Sequence, residues 1–88
     1  MIDGFIANDE NTLPGITNML FKDDKETQEL VSKILDYLSI TKDNQTLICC
    51  TDKLISGVVH LLRKTTSNKA RNHILQALIY LSSNPNNR

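Results

Sequence analysis

Two histidines, two adjacent cysteines, a pair of aspartates and one basic bend are the residues of this 88-residue chain whose types could carry chemistry. His60 and His73 stand in different helical stretches, and no acid or cysteine lies near either at the spacing of a metal motif such as C-x-x-C or H-x-x-x-H. No zinc site is expected. Cys49 and Cys50 are neighbours in sequence, too constrained to bridge each other easily, and no adjacent base marks either as a nucleophile. They read as small apolar residues of a packed helix. Gly4, Gly15 and Gly57 form no phosphate-cradling loop, and Asp23 with Asp24 precedes a helical pattern, where carboxylates cap free amides. The chain is therefore expected to be no enzyme, with no cofactor and no metal.

Arg63, Lys64, Lys69 and Arg71 gather around one bend and offer contacts to phosphates, the footprint of a nucleic-acid binder. Against that stand the zero net charge and the lack of basic residues interleaved with aromatics. Nucleic acid is thus the third choice of partner. The same bend, RKTTS, presents Thr66 or Ser67 to a kinase that prefers preceding bases. Asn44-Gln45-Thr46 has the form of a glycosylation acceptor, but a helix cap explains Asn44 better in an intracellular chain.

A chain of this length supports one domain whose core must be continuous, and with few aromatics and no Trp the packing relies on Leu and Ile. Unbridged cysteines suit a reducing compartment, cytoplasmic or nuclear. No apolar run approaches the roughly 20 residues of a membrane span, and the first 20 residues lack the pattern of a signal peptide. The charge is lopsided. Through Gln45 there are nine acids against four lysines, a balance of minus five; from Thr46 onward there is one acid against six bases, plus five. The plain reading is an uneven solvated surface, and the sharper one is ends that attract copies of the chain.

The elements that must position these residues come in two like sets. An offset of 42 residues lays Ile55, Gly57, Val58, Leu61, Leu62 and Lys64 over Leu13, Gly15, Ile16, Met19, Leu20 and Lys22. One added residue in the second bend makes the offset 43, and Ile74, Leu78, Tyr80, Leu81 and Ser82 then fall on Val31, Leu35, Tyr37, Leu38 and Ser39. Leu47 and Ile48 fall on Phe5 and Ile6, so a short helix precedes each pair. Repeats of about 40 residues indicate a solenoid.

Along the chain, Met1 to Asn8 reads as the opening helix of repeat one and Asp9 to Thr12 as the bend after it. A helix begins at Leu13-Pro14-Gly15 and ends near Phe21; the next, capped by Asp23 or Asp24, runs to about Ser39 with a buried stripe of Leu30, Val31, Ile34, Leu35 and Leu38. Asp43 or Asn44 caps a short helix, a further helix spans about Leu54 to Lys64, and Ser67 or Asn68 caps the last one, which ends before Ser83-Asn84-Pro85. Repeat one covers about 1–41 and repeat two about 42–83, and 84–88 is the truncated start of a further repeat.

The two units resemble armadillo repeats. DNQTLICCTDKLISGVVHLLRK and NHILQALIYLSS carry that family's pattern, a short helix, then G-x-(I/V)-x-x-L-(I/V)-x-L-L, then a long helix ending A-L-x-N-L, and LPGITNMLFK with ELVSKILDYLS carries it less cleanly. The resemblance implies an all-α, right-handed α-solenoid of three-helix repeats, with HEAT-like helix pairs as the alternative. It also implies a partner protein or peptide along the groove of the third helices. The family's Asn falls on Tyr37 and Tyr80 and its Trp on Lys33 and Gln76, so its ladder for holding a peptide backbone is absent.

What can replace that ladder is the row Glu29, Lys33, Tyr37 and Asn72, Gln76, Tyr80, each set spaced by four residues along one side of its helix. The tyrosines offer amphipathic anchors, or are half-buried helix ends. Leu75 and Ile79, whose counterparts are the polar Ser32 and Asp36, mark a stacking surface that something should cover. The expected function is a non-catalytic protein-binding scaffold; the alternative is a self-assembly module joining copies through its repeat ends into a homo-oligomer.

Overall fold

Leu13, Ile16 and Leu20 recur at three and four residues, and they form the buried edge of the first helix, α1 (Thr12–Leu20), in the computed structural model, which describes residues 12–84. Pro14 sits in the first turn, where its missing donor costs no hydrogen bond. The opening helix expected over Met1 to Asn8, with Phe5 and Ile6, and residues 85–88, expected to begin a further repeat, lie outside the described residues.

Asp24 caps α2 (Lys25–Leu38), its carboxylate accepting from the Thr27 amide at 2.9 Å. The buried side of α2 is Gln28, Val31, Ser32, Leu35 and Leu38. Leu30, expected in that stripe, is instead 52% exposed. The reason is geometric: with 3.6 residues per turn, a stripe centred on Val31 and Leu35 continues to Gln28 and Leu38, and Leu30 falls about 100° to one side. Gln28 and Ser32 are accommodated because Gln28 Nε2 donates to Asp23 O at 3.3 Å and Ser32 Oγ donates to Gln28 O at 2.6 Å.

The short helix α3 (Lys42–Cys50) starts earlier than the expected caps, Asp43 and Asn44, allow. Thr41 is its N-cap and makes no side-chain capping bond, so Asp43 and Asn44 lie in the first turn. Ile48 is its anchor in the core, while Cys49 is half-buried and Cys50 exposed. Burial pushes the Cys49 thiol up, and the neighbouring Cys50 adds to the shift, which favours the packed, protonated thiol over a nucleophile. Lys53 then takes a left-handed conformation, φ 65°, and turns the chain into α4 (Leu54–Lys64).

Ser67 caps α5 (Asn68–Ser83), accepting from the Ala70 amide at 3.1 Å. Among the described residues, these five helices are the regular structure and no strand occurs. The fold is all-α. Its packing joins like with like: α2 makes its most extensive contact with α5, and α1 with α4, while α3 lies against α4 and α5. One buried cluster runs through all five helices, centred on Leu20, Leu35, Ile48, Leu54, Leu61 and Ile74.

Gly57 sets how close α4 comes to α1. A Cβ there would meet Leu20 Cβ at 2.8 Å and the Phe21 ring at 3.2 Å, so no side chain fits without a shift. Gly15, at the same place one unit earlier, has no described atom from outside its own stretch of helix within 4 Å of where its Cβ would be.

Candidate interaction surface

Between the α1–α2 pair and the α4–α5 pair runs a seam of side chains that neighbouring residues in sequence do not announce. Asp36 Oδ2 accepts from His73 Nδ1 at 2.8 Å, and Asp23 Oδ1 lies 3.3 Å from His60 Nε2, with the His60 ring tilted against Phe21 at a centroid distance of 5.2 Å. Both histidines thus have acid partners 37 residues upstream. Spacing rules look for ligands on one helix or loop, so they miss pairs built across a helix seam. Neither pair recruits a third ligand: among the described residues no group of three or more His, Cys, Asp or Glu is placed to hold a metal ion.

Glu29 joins the same seam. Its Oε2 accepts from the Ser67 hydroxyl at 2.6 Å while Ser67 Oγ accepts from the Ala70 amide, which puts a carboxylate at the positive end of α5 through one intervening hydroxyl. Glu29 was expected to face a partner; its carboxylate is directed between helices instead. That contact also defines the RKTTS bend, since Ser67 is buried and Thr66 exposed. Arg71, counted with the basic cluster, donates from Nη2 to Thr65 O at 2.9 Å and closes the C-terminal end of α4. Arg63, Lys64 and Lys69 remain exposed.

Asn84 is buried and ties the end of α5 to α3, its Nδ2 donating to Gln45 Oε1 at 3.0 Å and Lys42 O at 3.2 Å. Gln45 Nε2 in turn donates to Ser39 O at 2.7 Å. Asn84 is thus the C-cap of α5 and fastens that end of the helix to α3.

Of the predicted partner row, Lys33, Asn72 and Gln76 are exposed, Tyr37 is 59% exposed and Tyr80 is half-buried. They lie on α2 and α5, the two helices in most extensive contact. Leu75 is 45% and Ile79 58% exposed, and Ile55 and Val59 of α4 are exposed as well. The counterparts of these residues one unit earlier are covered: Leu13, Thr17 and Ser32 are buried, and Asp36 is half-buried against His73. The signal for α4 was available in the offset of 42, which sets Ile55 on Leu13 and Val59 on Thr17.

Comparison with protein-family models, curated proteins and solved structures finds no match to the chain. No described helix is long and apolar enough to cross a membrane.

Proposed function

We propose that the chain is a non-catalytic protein-interaction scaffold of armadillo-like build, which takes a partner protein or peptide along the α2–α5 surface. The observation that carries this reading is the exposure of Lys33, Tyr37, Asn72 and Gln76 on two helices packed along each other. Such a strip combines an aromatic anchor with side chains that donate and accept, the mixture that concentrates binding energy at interfaces. Tyr37 is its centre, because a mostly exposed ring has the most apolar surface to lose to a partner. The short α3 in front of the α4–α5 pair supports a three-helix unit over a HEAT-like pair. Two free cysteines accord with an intracellular setting.

The test is selection of peptides from a displayed library on the immobilised chain, followed by anisotropy titration of the selected peptides. Tyr37→Ala with Gln76→Ala should weaken binding by roughly 30-fold or more, the loss expected of a hot spot. Leu75→Ser should leave it unchanged. Undiminished affinity in the Tyr37 and Gln76 variant, with helical circular dichroism intact, overturns the reading.

A further inference from the structure

The uncovered apolar face of α4 and α5 has a partner already drawn within the molecule. Ile55, Val59, Leu75 and Ile79 are exposed there and Leu62 is half-buried, whereas one unit earlier the same positions are covered by α4 and α5. We propose that this face takes the α1–α2 side of a second copy of the chain, in the register in which α4–α5 sits on α1–α2 within one copy. It adjoins the Tyr37 and Gln76 strip, since Asn72 belongs to both and Leu30, seven residues before Tyr37, lies on the same side of α2.

Three contacts of the internal seam, moved on by one unit, become three pairs of matched chemistry. The first is the close approach of Gly57 to Leu20, which becomes Gly15 on Leu62. Gly15 is an exposed glycine inside a helix, where alanine holds the helix better, and no described residue of its own copy needs the space. A helix from another copy does. The second is Asp36 with His73, which becomes Ile79 with Leu30. Both polar members change to apolar ones together, and both are more than half exposed, 58% and 52%. The third is Glu29 with Ser67, which becomes Asn72 with Asp24, an amide donor facing a carboxylate.

The paired changes are what single out a second copy. A different partner on α4 and α5 would account for Ile79 and Leu75 but would ask nothing of Leu30 or Gly15 on the opposite side. The charge balance of the two halves, minus five and plus five, draws the same two ends together. Because each copy contributes a different face, the contact is heterologous and continues beyond two copies, into a ring or an open row.

Sedimentation velocity on the whole chain, over a range of concentrations, tests this. The wild-type mass should rise with concentration past that of a dimer. Leu30→Asp breaks one face and Ile79→Asp the other, so each variant alone should remain a monomer. Mixed in equal amounts, they should form a one-to-one dimer and stop there, since each brings one intact face. Gly15→Leu should suppress association without loss of helical signal, as no described atom of its own copy crowds a Cβ at this position. Thermal melts matched to wild type secure the fold of each variant. A wild-type chain that stays monomeric, association surviving in either Asp variant, or a mixture that does not pair would each overturn the proposal. The peptide titration at monomeric concentration varies Tyr37 and Gln76, and the sedimentation varies Gly15, Leu30 and Ile79, so either reading can fail while the other stands.

Discussion

Gly15 and Gly57 hold the same place in successive helix pairs, yet among the described residues an added methyl group would meet open space at one and Leu20 at the other. The same contrast runs through the two units. Leu13 and Leu20 are buried where Ile55 is exposed and Leu62 half-buried; Ser32 is buried where Leu75 is exposed. What differs is the neighbour: α1 and α2 have α4 and α5 packed on them. Burial of a helix face is thus set by what stacks on it, and the more apolar set of residues is the one left uncovered.

Truncating the two leucines breaks the comparison most directly. Leu20→Ala should cost roughly 2–5 kcal/mol in urea unfolding, the loss of a fully buried leucine with its cavity, while Leu62→Ala should cost at most about 1.5 kcal/mol at concentrations where the chain is monomeric. Equal losses would show that the two units are not differently covered.

The glycines should then separate in sign. Gly57→Ala should destabilise by about 1–2 kcal/mol, because Leu20 Cβ is held by its backbone and the helices must move apart. Gly15→Ala should stabilise the monomer by up to about 1 kcal/mol, through helix propensity alone. Thermal melts at low protein concentration measure both, and a loss at Gly15 would mean that its surroundings are more crowded than described.

The caps extend the comparison at smaller magnitude. Ser67→Ala removes the bond to Ala70 and leaves the Glu29 carboxylate without its seam donor, so it should cost about 1–2 kcal/mol. Asp24, the corresponding cap of α2, is exposed and contributes less, but it titrates. Hydrogen bonds from Thr27 hold the Asp24 carboxyl below its ordinary value. A carboxyl depressed in the folded state adds stability above its unfolded value, near 3.8, and that stability fades as pH falls through the lower folded value. Melting temperature measured from pH 6 down to pH 2.5 should therefore fall further for the wild type than for Asp24→Asn, which keeps a cap that does not titrate. Parallel curves would remove Asp24 from the acid response.

The helix ends were legible because capping is local chemistry. Asp24 and Ser67 act on amides three residues on, and Pro14, the Thr65 bend and Ser83-Asn84-Pro85 bracket helices within a turn of where they lie. α3 departs from this, its N-cap lying two residues before Asp43, since Thr41 serves there without using its hydroxyl. The proposed surface was legible in part. Leu75 and Ile79 stood out against Ser32 and Asp36, while Ile55 and Val59 did not, because an apolar residue on an amphipathic helix is assigned to the core until a neighbour is known. Glu29, spaced four residues from Lys33, shared its side of the helix but not its environment.

The sequence by itself determined that this protein is helical, where its helices begin and end apart from the start of α3, and that they come as two like sets. Periodicity, propensity and capping act within a few residues, and the offset carries them from one set to the next. Only the tertiary structure decided that Leu30 faces outward, that His60 and His73 find Asp23 and Asp36, and that one glycine is crowded while its counterpart is free. Those are properties of two surfaces meeting, and residues some 37 positions apart meet only when the helices between them have packed.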